Sequence, residues 1–187
     1  MISNTAIFKL DIFGLEESDL FFENLIRTIL VAAGGEIAGR VRLQKLVYLL
    51  DKLGLESGFR YSYHHYGPYS AELSSSADLA QAFGFVEEIF KHRASDGARF
   101  SLFKSGESHL INSKSDFLDS EVIRNAIAQM NSANSTVLEL AATAYWLRHD
   151  EGLADWSTEI VRRKGSKVEN GRLEKAISLL NDLKLSL

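Results

Sequence analysis

Phe85-Val86-Glu87-Glu88-Ile89-Phe90-Lys91-His92-Arg93-Ala94-Ser95-Asp96-Gly97-Ala98-Arg99-Phe100-Ser101-Leu102-Phe103 is the stretch on which the fold turns. Two alternating runs, 85–90 and 99–103, flank the tip 94–97, whose Asp96-Gly97 dipeptide favours positive φ. That predicts a β-hairpin. Just upstream, Ser70 is placed to cap a helix running to Ala82. Gly67-Pro68 precedes it, and proline neither donates to a strand ladder nor tolerates a helical residue before it. From Phe59 to Tyr66 the chain alternates, with Phe59, Tyr61 and Tyr63 on one side and Arg60, Ser62 and His64 on the other, a strand that the Gly-Pro turn ends.

Further back, Leu43, Leu46, Val47, Leu50 and Leu53 form one stripe of a helix over about 41–53. Gln44, Lys45, Asp51 and Lys52 lie opposite, and Gly54 closes it. Ser18 offers the cap for an earlier helix, in which Phe21, Phe22, Leu25, Ile26, Ile29, Leu30 and Ala33 recur at helical spacing until Gly34-Gly35. Phe8, Leu10 and Ile12 alternate with Lys9 and Asp11, as in a short strand or an ordered arm.

Helix, helix, strand, helix and hairpin is the element order of a winged helix, with the hairpin as its wing. From about Ser120 onward only helical periodicity is found: Val122, Ile123, Ala126, Ile127 and Met130; then Val137, Leu138, Ala141, Ala144 and Tyr145. A short helix around Trp156, Ile160 and Val161 precedes a last one through Leu173, Ala176, Ile177, Leu180 and Leu183. No long linker separates these from the hairpin. The expected fold is α+β and mainly helical: a single domain over 1–187, with a winged-helix-like core at 18–113 and a packed helical extension at 118–187.

Composition narrows the function. The 187 residues are 45% hydrophobic and 25% charged, values of a folded globular chain and not of a disordered one. Having no cysteine, the chain has no disulfide, thiol nucleophile or thiolate metal site, which fits a cytoplasmic location. Lys9 and Asp11 interrupt the apolar residues of 1–13, so no secretion signal is expected. The longest apolar tract, 25–33, contains Arg27 and falls well short of the ~20 residues a membrane span needs. Net charge is −4, so any nucleic-acid site must be a local basic patch.

Two segments are more specific when taken together: Gly39-Arg40-Val41-Arg42-Leu43-Gln44-Lys45-Leu46-Val47-Tyr48-Leu49-Leu50 and Tyr66-Gly67-Pro68-Tyr69-Ser70-Ala71-Glu72-Leu73. This pairing resembles the YwgA-like proteins and, more distantly, the Panacea domain of antitoxins. The helix at Leu138–Tyr145 and the segment Gly171–Leu183 fit the same pattern. The resemblance implies a compact, largely helical module of toxin–antitoxin and phage-defence settings that binds a protein partner and is not catalytic. Panacea domains often carry a tryptophan shortly before the Gly-Pro turn, where this chain has Tyr63, His64, His65 and Tyr66.

No motif supports catalysis or a cofactor. Adjacent His64 and His65 on a strand point to opposite faces and cannot both ligate one metal ion without a bend. There is no helical His pair of the HExxH type, no GxSxG elbow and no phosphate-cradling glycine loop. Glu87 and Glu88 read as solvated edge charges of the wing. We expect no enzyme, no metal and no small-molecule cofactor.

Two readings of function remain. In the first, Tyr63, His64, His65, Tyr66, Gly67, Pro68 and Tyr69 form the contact surface for a protein partner, a toxin or a defence effector, because tyrosines supply large, stiff, amphipathic contact area. In the second, the chain is a DNA-binding regulator using Arg40, Arg42, Lys45, Lys91, Arg93 and Arg99, with Arg162, Arg163, Lys164 and Lys167 as a further basic cluster. A winged helix commonly puts the helix after its turn into the major groove. Here residues 61–90 contain no Lys or Arg, and Glu72 and Asp78 sit on that helix, against the phosphate neutralisation that drives DNA affinity.

Overall fold

A computed structural model of the chain describes residues 20–92, 94, 97–106 and 115–187. The alternating segment 8–12, the cap at Ser18 and the wing residue Arg93 lie outside the described residues. The fold is α+β and mainly helical, and it divides into two compact units whose segments interleave along the chain. Described residues up to Arg40 join Ala71–Asn125; Val41–Ser70 join Ala126–Leu187.

In the first unit, α1 (Phe21–Ala32) is followed by the short strand β1 (Glu36–Ala38). Leu25, Ile26, Ile29 and Leu30 recur at the helical period and are fully buried. The helix α3 (Ala71–Ala82) and the hairpin β4 (Val86–His92) and β5 (Arg99–Ser105) complete the frame, with the short α4 (Ser115–Asp119) packed on α1. The hairpin forms as its alternation predicts. The antiparallel sheet has the order β1-β5-β4, with Ile37 opposite Phe103 and Ile89 opposite Leu102. Ile37, Val86 and Phe103, on one face of the sheet, are buried, as is Phe85 just before β4. Gly106 ends the hairpin where only glycine fits: its N–H donates to the Phe85 carbonyl at 2.7 Å, and a Cβ there would lie 2.1 Å from the Gly84 carbonyl oxygen.

The second unit is built around α2 (Arg40–Lys52) from Val41 onward, α6 (Ser135–Tyr145), α7 (Trp156–Lys164) and α8 (Arg172–Asp182). The C-terminal half of α5 (Glu121–Ser132) belongs here too. A π turn, Trp146–Asp150, extends α6, and a 3₁₀ turn, Gly165–Val168, follows α7. Side-chain caps start two of these helices: Asn134 accepts from the Thr136 N–H at 2.9 Å, and Asp155 from the Thr158 N–H at 3.2 Å. The apolar helix α6 packs against α8, α7 and the hairpin β2 (Ser62–His64) and β3 (Gly67–Tyr69).

Three expectations change. The segment 59–69 is not one strand ended by Gly67-Pro68: the chain reverses at His65-Tyr66, and Gly67-Pro68 opens the return strand, with Tyr63 opposite Pro68. Positive φ falls at Gly67 (89°), the first residue of the return strand, and not at His65 or Tyr66. Second, α2 has no polar outer face over 42–50, since every residue there is buried, Gln44 and Lys45 included. Third, compactness does not divide the chain near residues 113–118. Helix α2 and the β2–β3 hairpin group with the C-terminal helices because Arg42 donates to the Met130 and Asn131 carbonyls (2.9 and 2.7 Å) and Tyr48 to Asp150 (2.7 Å).

Candidate partner-binding site

The β2–β3 hairpin is fixed from below by side chains of three helices. Gln44 on α2 makes a two-way bond with the backbone of Ser70, accepting its N–H at 2.8 Å and donating to its carbonyl at 2.9 Å. Lys45, one residue on, donates to the Pro68 carbonyl at 2.5 Å. From α7, Lys164 donates to the His65 carbonyl at 2.9 Å. Gly67 lies against α6, where a Cβ would meet Thr143 Oγ1 at 2.5 Å. These contacts hold the backbone of the turn itself, so the turn residues are positioned without spending their side chains.

The side chains divide accordingly. Gly67 and Pro68 are buried, Tyr63 and Tyr69 are half-buried, and His64, His65 and Tyr66 are exposed, Tyr66 at 49%. Tyr63 lies between the Arg163 guanidinium, 4.4 Å from its ring, and Trp146, at 6.5 Å. Burial pushes its phenol up, and Arg163 partly offsets this. His64 packs against Tyr69 at 4.7 Å with the rings tilted by 43°, while His65 meets Tyr66 edge-on at 4.8 Å, so the two histidines diverge. Among the described residues, no group of three His, Asp or Glu side chains is placed to hold a metal ion. Of the seven residues expected to form the contact surface, three are presented to solvent and the others support them.

Around the hairpin lies a cationic network. Lys164 and Lys167 share one carboxylate, Glu139 on α6, at 2.9 and 2.8 Å. Lys45 is 2% exposed, and burial lowers its ammonium to about 8, with Lys164 and Lys167 adding to the effect and Glu139 opposing it. Burial also lowers Lys164. Arg163 grips Glu151 through both terminal nitrogens (2.8 and 2.7 Å) and Glu159 through Nε (2.6 Å), while Trp146 donates to Glu151 at 2.8 Å. Hydrogen bonds from Arg162 and Arg163 hold Glu159 down at about 2. Beneath, Tyr48 and Lys52 both donate to Asp150 (2.7 Å each), and Tyr61 and Ser57 to Asp51 (2.8 and 2.7 Å). Tyr61 is therefore half-buried with its hydroxyl tied to Asp51.

The described residues expected to contact DNA fall in both units. Arg42 and Lys45 are buried and hydrogen-bonded within the second unit. In the first, Arg40 donates to Asp78 (2.7 Å) and Glu88 (3.0 Å) and lies over Phe103. Arg99 stacks on Phe90 at 3.9 Å, and Lys91 lies in β4. The basic run 162–167 shows in the sequence, but its place beside the hairpin does not. Glu139 gave only a faint signal, as the one charge in the apolar run Val137–Ala142.

The chain resembles YwgA. It is 29% identical to the uncharacterized protein YwgA of Bacillus subtilis (strain 168) over 154 residues, covering 80% of this chain and 89% of that protein. No family model matches. The similarity supports a YwgA-like family. No described helix is long and apolar enough to cross a membrane.

Proposed function

We propose that this chain is a non-enzymatic binding module, antitoxin-like or defence-associated, that recognises a protein partner in the cytoplasm through the β2–β3 turn. One observation carries the reading: His64, His65 and Tyr66 are exposed on a turn whose backbone is already bonded to Lys164, Lys45 and Gln44. A contact surface that is ordered before binding loses little conformational entropy on association, and aromatic side chains supply area at low rotamer cost. The antitoxin-like or defence setting is drawn from the resemblance of the two sequence motifs to the Panacea domain of antitoxins.

The DNA-binding reading has one observation in its favour. A strand between the first two helices pairs with the return strand of the hairpin, as in a winged helix. Against it, Arg40 is engaged by two carboxylates, and Asp78 on α3 is one of them. A pull-down of the tagged chain from its host, split into nuclease-treated and untreated halves, separates the two. The protein-binding reading predicts a stoichiometric partner that survives nuclease; nuclease-sensitive DNA with no such partner would reverse it.

A further inference from the structure

The charges around the hairpin do not balance. Glu139, with 6% of its side chain exposed, is shared by Lys164 and Lys167, and the hydrogen bond of Lys45 goes to a carbonyl and not to a carboxylate. Three ammonium groups thus stand around one carboxylate. Next to them, Arg162 and Arg163 are matched by Glu151 and Glu159 and contribute no surplus. The second unit as a whole holds twelve Lys and Arg against ten Asp and Glu, a net +2 in a chain of net −4.

A buried or half-buried cation without its own counter-charge is held against its desolvation cost, and supplying an anion relieves that cost. The surplus reaches solvent at Lys167, whose side chain is 35% exposed and whose ammonium lies 4.8 Å from the Tyr66 ring. Resting on the protein-binding reading above, we propose that the occupant of this site is an acidic segment of a partner protein. An Asp or Glu carboxylate accepts from Lys167, and the flanking residues lie on Tyr66 and His65. A nucleic-acid backbone fits less well, because it needs a track of exposed cations. Here Lys45 and Lys164 are buried, and Arg162 is tied to Glu159 at 2.7 Å.

The test is fluorescence anisotropy of the full chain with a labelled, end-capped peptide of alternating Glu and Leu at low salt. Its Gln/Leu counterpart and a labelled oligothymidylate serve as controls, with K167E, K167M and Y66S as variants. Binding of the Glu peptide that weakens about tenfold or more with Gln, and likewise in K167E, supports the proposal, provided K167E melts as wild type does. K167M should lie between, which decides the matter if K167E fails to fold. Equal binding of the Glu and Gln peptides, indifference to K167E, or stronger binding of oligothymidylate overturns it. A concentration-dependent dimer abolished by K167E would make the occupant a second copy and also overturn it. If the host partner is captured by wild type and K167E but not by Y66S, the acidic occupant fails while the protein-binding reading stands.

Discussion

Replacing Lys45 by Met tests the electrostatics beneath the turn. Lys45 is 2% exposed, and its ammonium is lowered from 10.5 to about 8, first by burial and then by Lys164 and Lys167. That difference corresponds to about 3 kcal/mol of preference for the uncharged amine in the folded protein. Below about pH 8 the lysine is charged in both states and the full cost is present. Between about 8 and 10.5 the folded protein holds fewer protons at Lys45 than the unfolded chain, so stability contributed at this residue rises with pH. Above that window the amine is neutral in both states and the cost is gone. Met fills a similar volume and does not titrate. The free energy of unfolding of wild type minus that of Lys45→Met, from urea titrations followed by circular dichroism, should rise by about 3 kcal/mol between about pH 7.5 and 10.5. Taking the difference removes groups that titrate alike in both proteins. At pH 7.5, Met loses the bond to Pro68 but escapes the desolvation cost, so the two proteins should lie within about 2 kcal/mol of each other. A difference that stays flat or falls with pH would refute the reasoning.

Other substitutions probe the frame. Gly67→Ala adds a Cβ 2.5 Å from Thr143 Oγ1 at a residue with φ of 89°, and should lower stability by about 2–4 kcal/mol by chemical denaturation. Gln44→Leu removes both hydrogen bonds between this side chain and the Ser70 backbone and should cost about 2–3 kcal/mol in the same assay. Tyr48→Phe removes the bond to Asp150 in a fully buried ring and should cost about 1–2 kcal/mol. Tyr66→Ser alters a side chain that is 49% exposed and should change the melting free energy by no more than about 0.5 kcal/mol while weakening partner capture.

Much of the fold is legible in the chain because periodicity reports burial directly. The alternation at 85–103 yields the β4–β5 hairpin, and the spacing of Leu25, Ile26, Ile29 and Leu30 yields α1. The reading fails where polar residues enter the interior. Gln44 and Lys45 look like a solvent face until their partners, the backbone of Ser70 and Pro68, are placed beside them. Local pattern carries no record of such long-range bonds. The Gly-Pro dipeptide reads as a strand end because proline cannot donate to a ladder, yet the chain reverses at His65-Tyr66, and Gly67 and Pro68 pair in the return strand, with Gly67 close against Thr143. Of the site, the aromatic and histidine residues of the turn show in the sequence; the cations behind it show only as a distant basic run. Their common carboxylate, Glu139, links them only through the packing of α6 and α7.

The most direct test of the central claim is site-specific photocrosslinking in the host, with benzoylphenylalanine placed at Tyr66 and, separately, at Leu79 of α3, which is also 48% exposed. The account predicts one nuclease-resistant protein adduct from position 66 and none from position 79. Adducts to DNA, or a protein adduct from position 79 with none from 66, would contradict it.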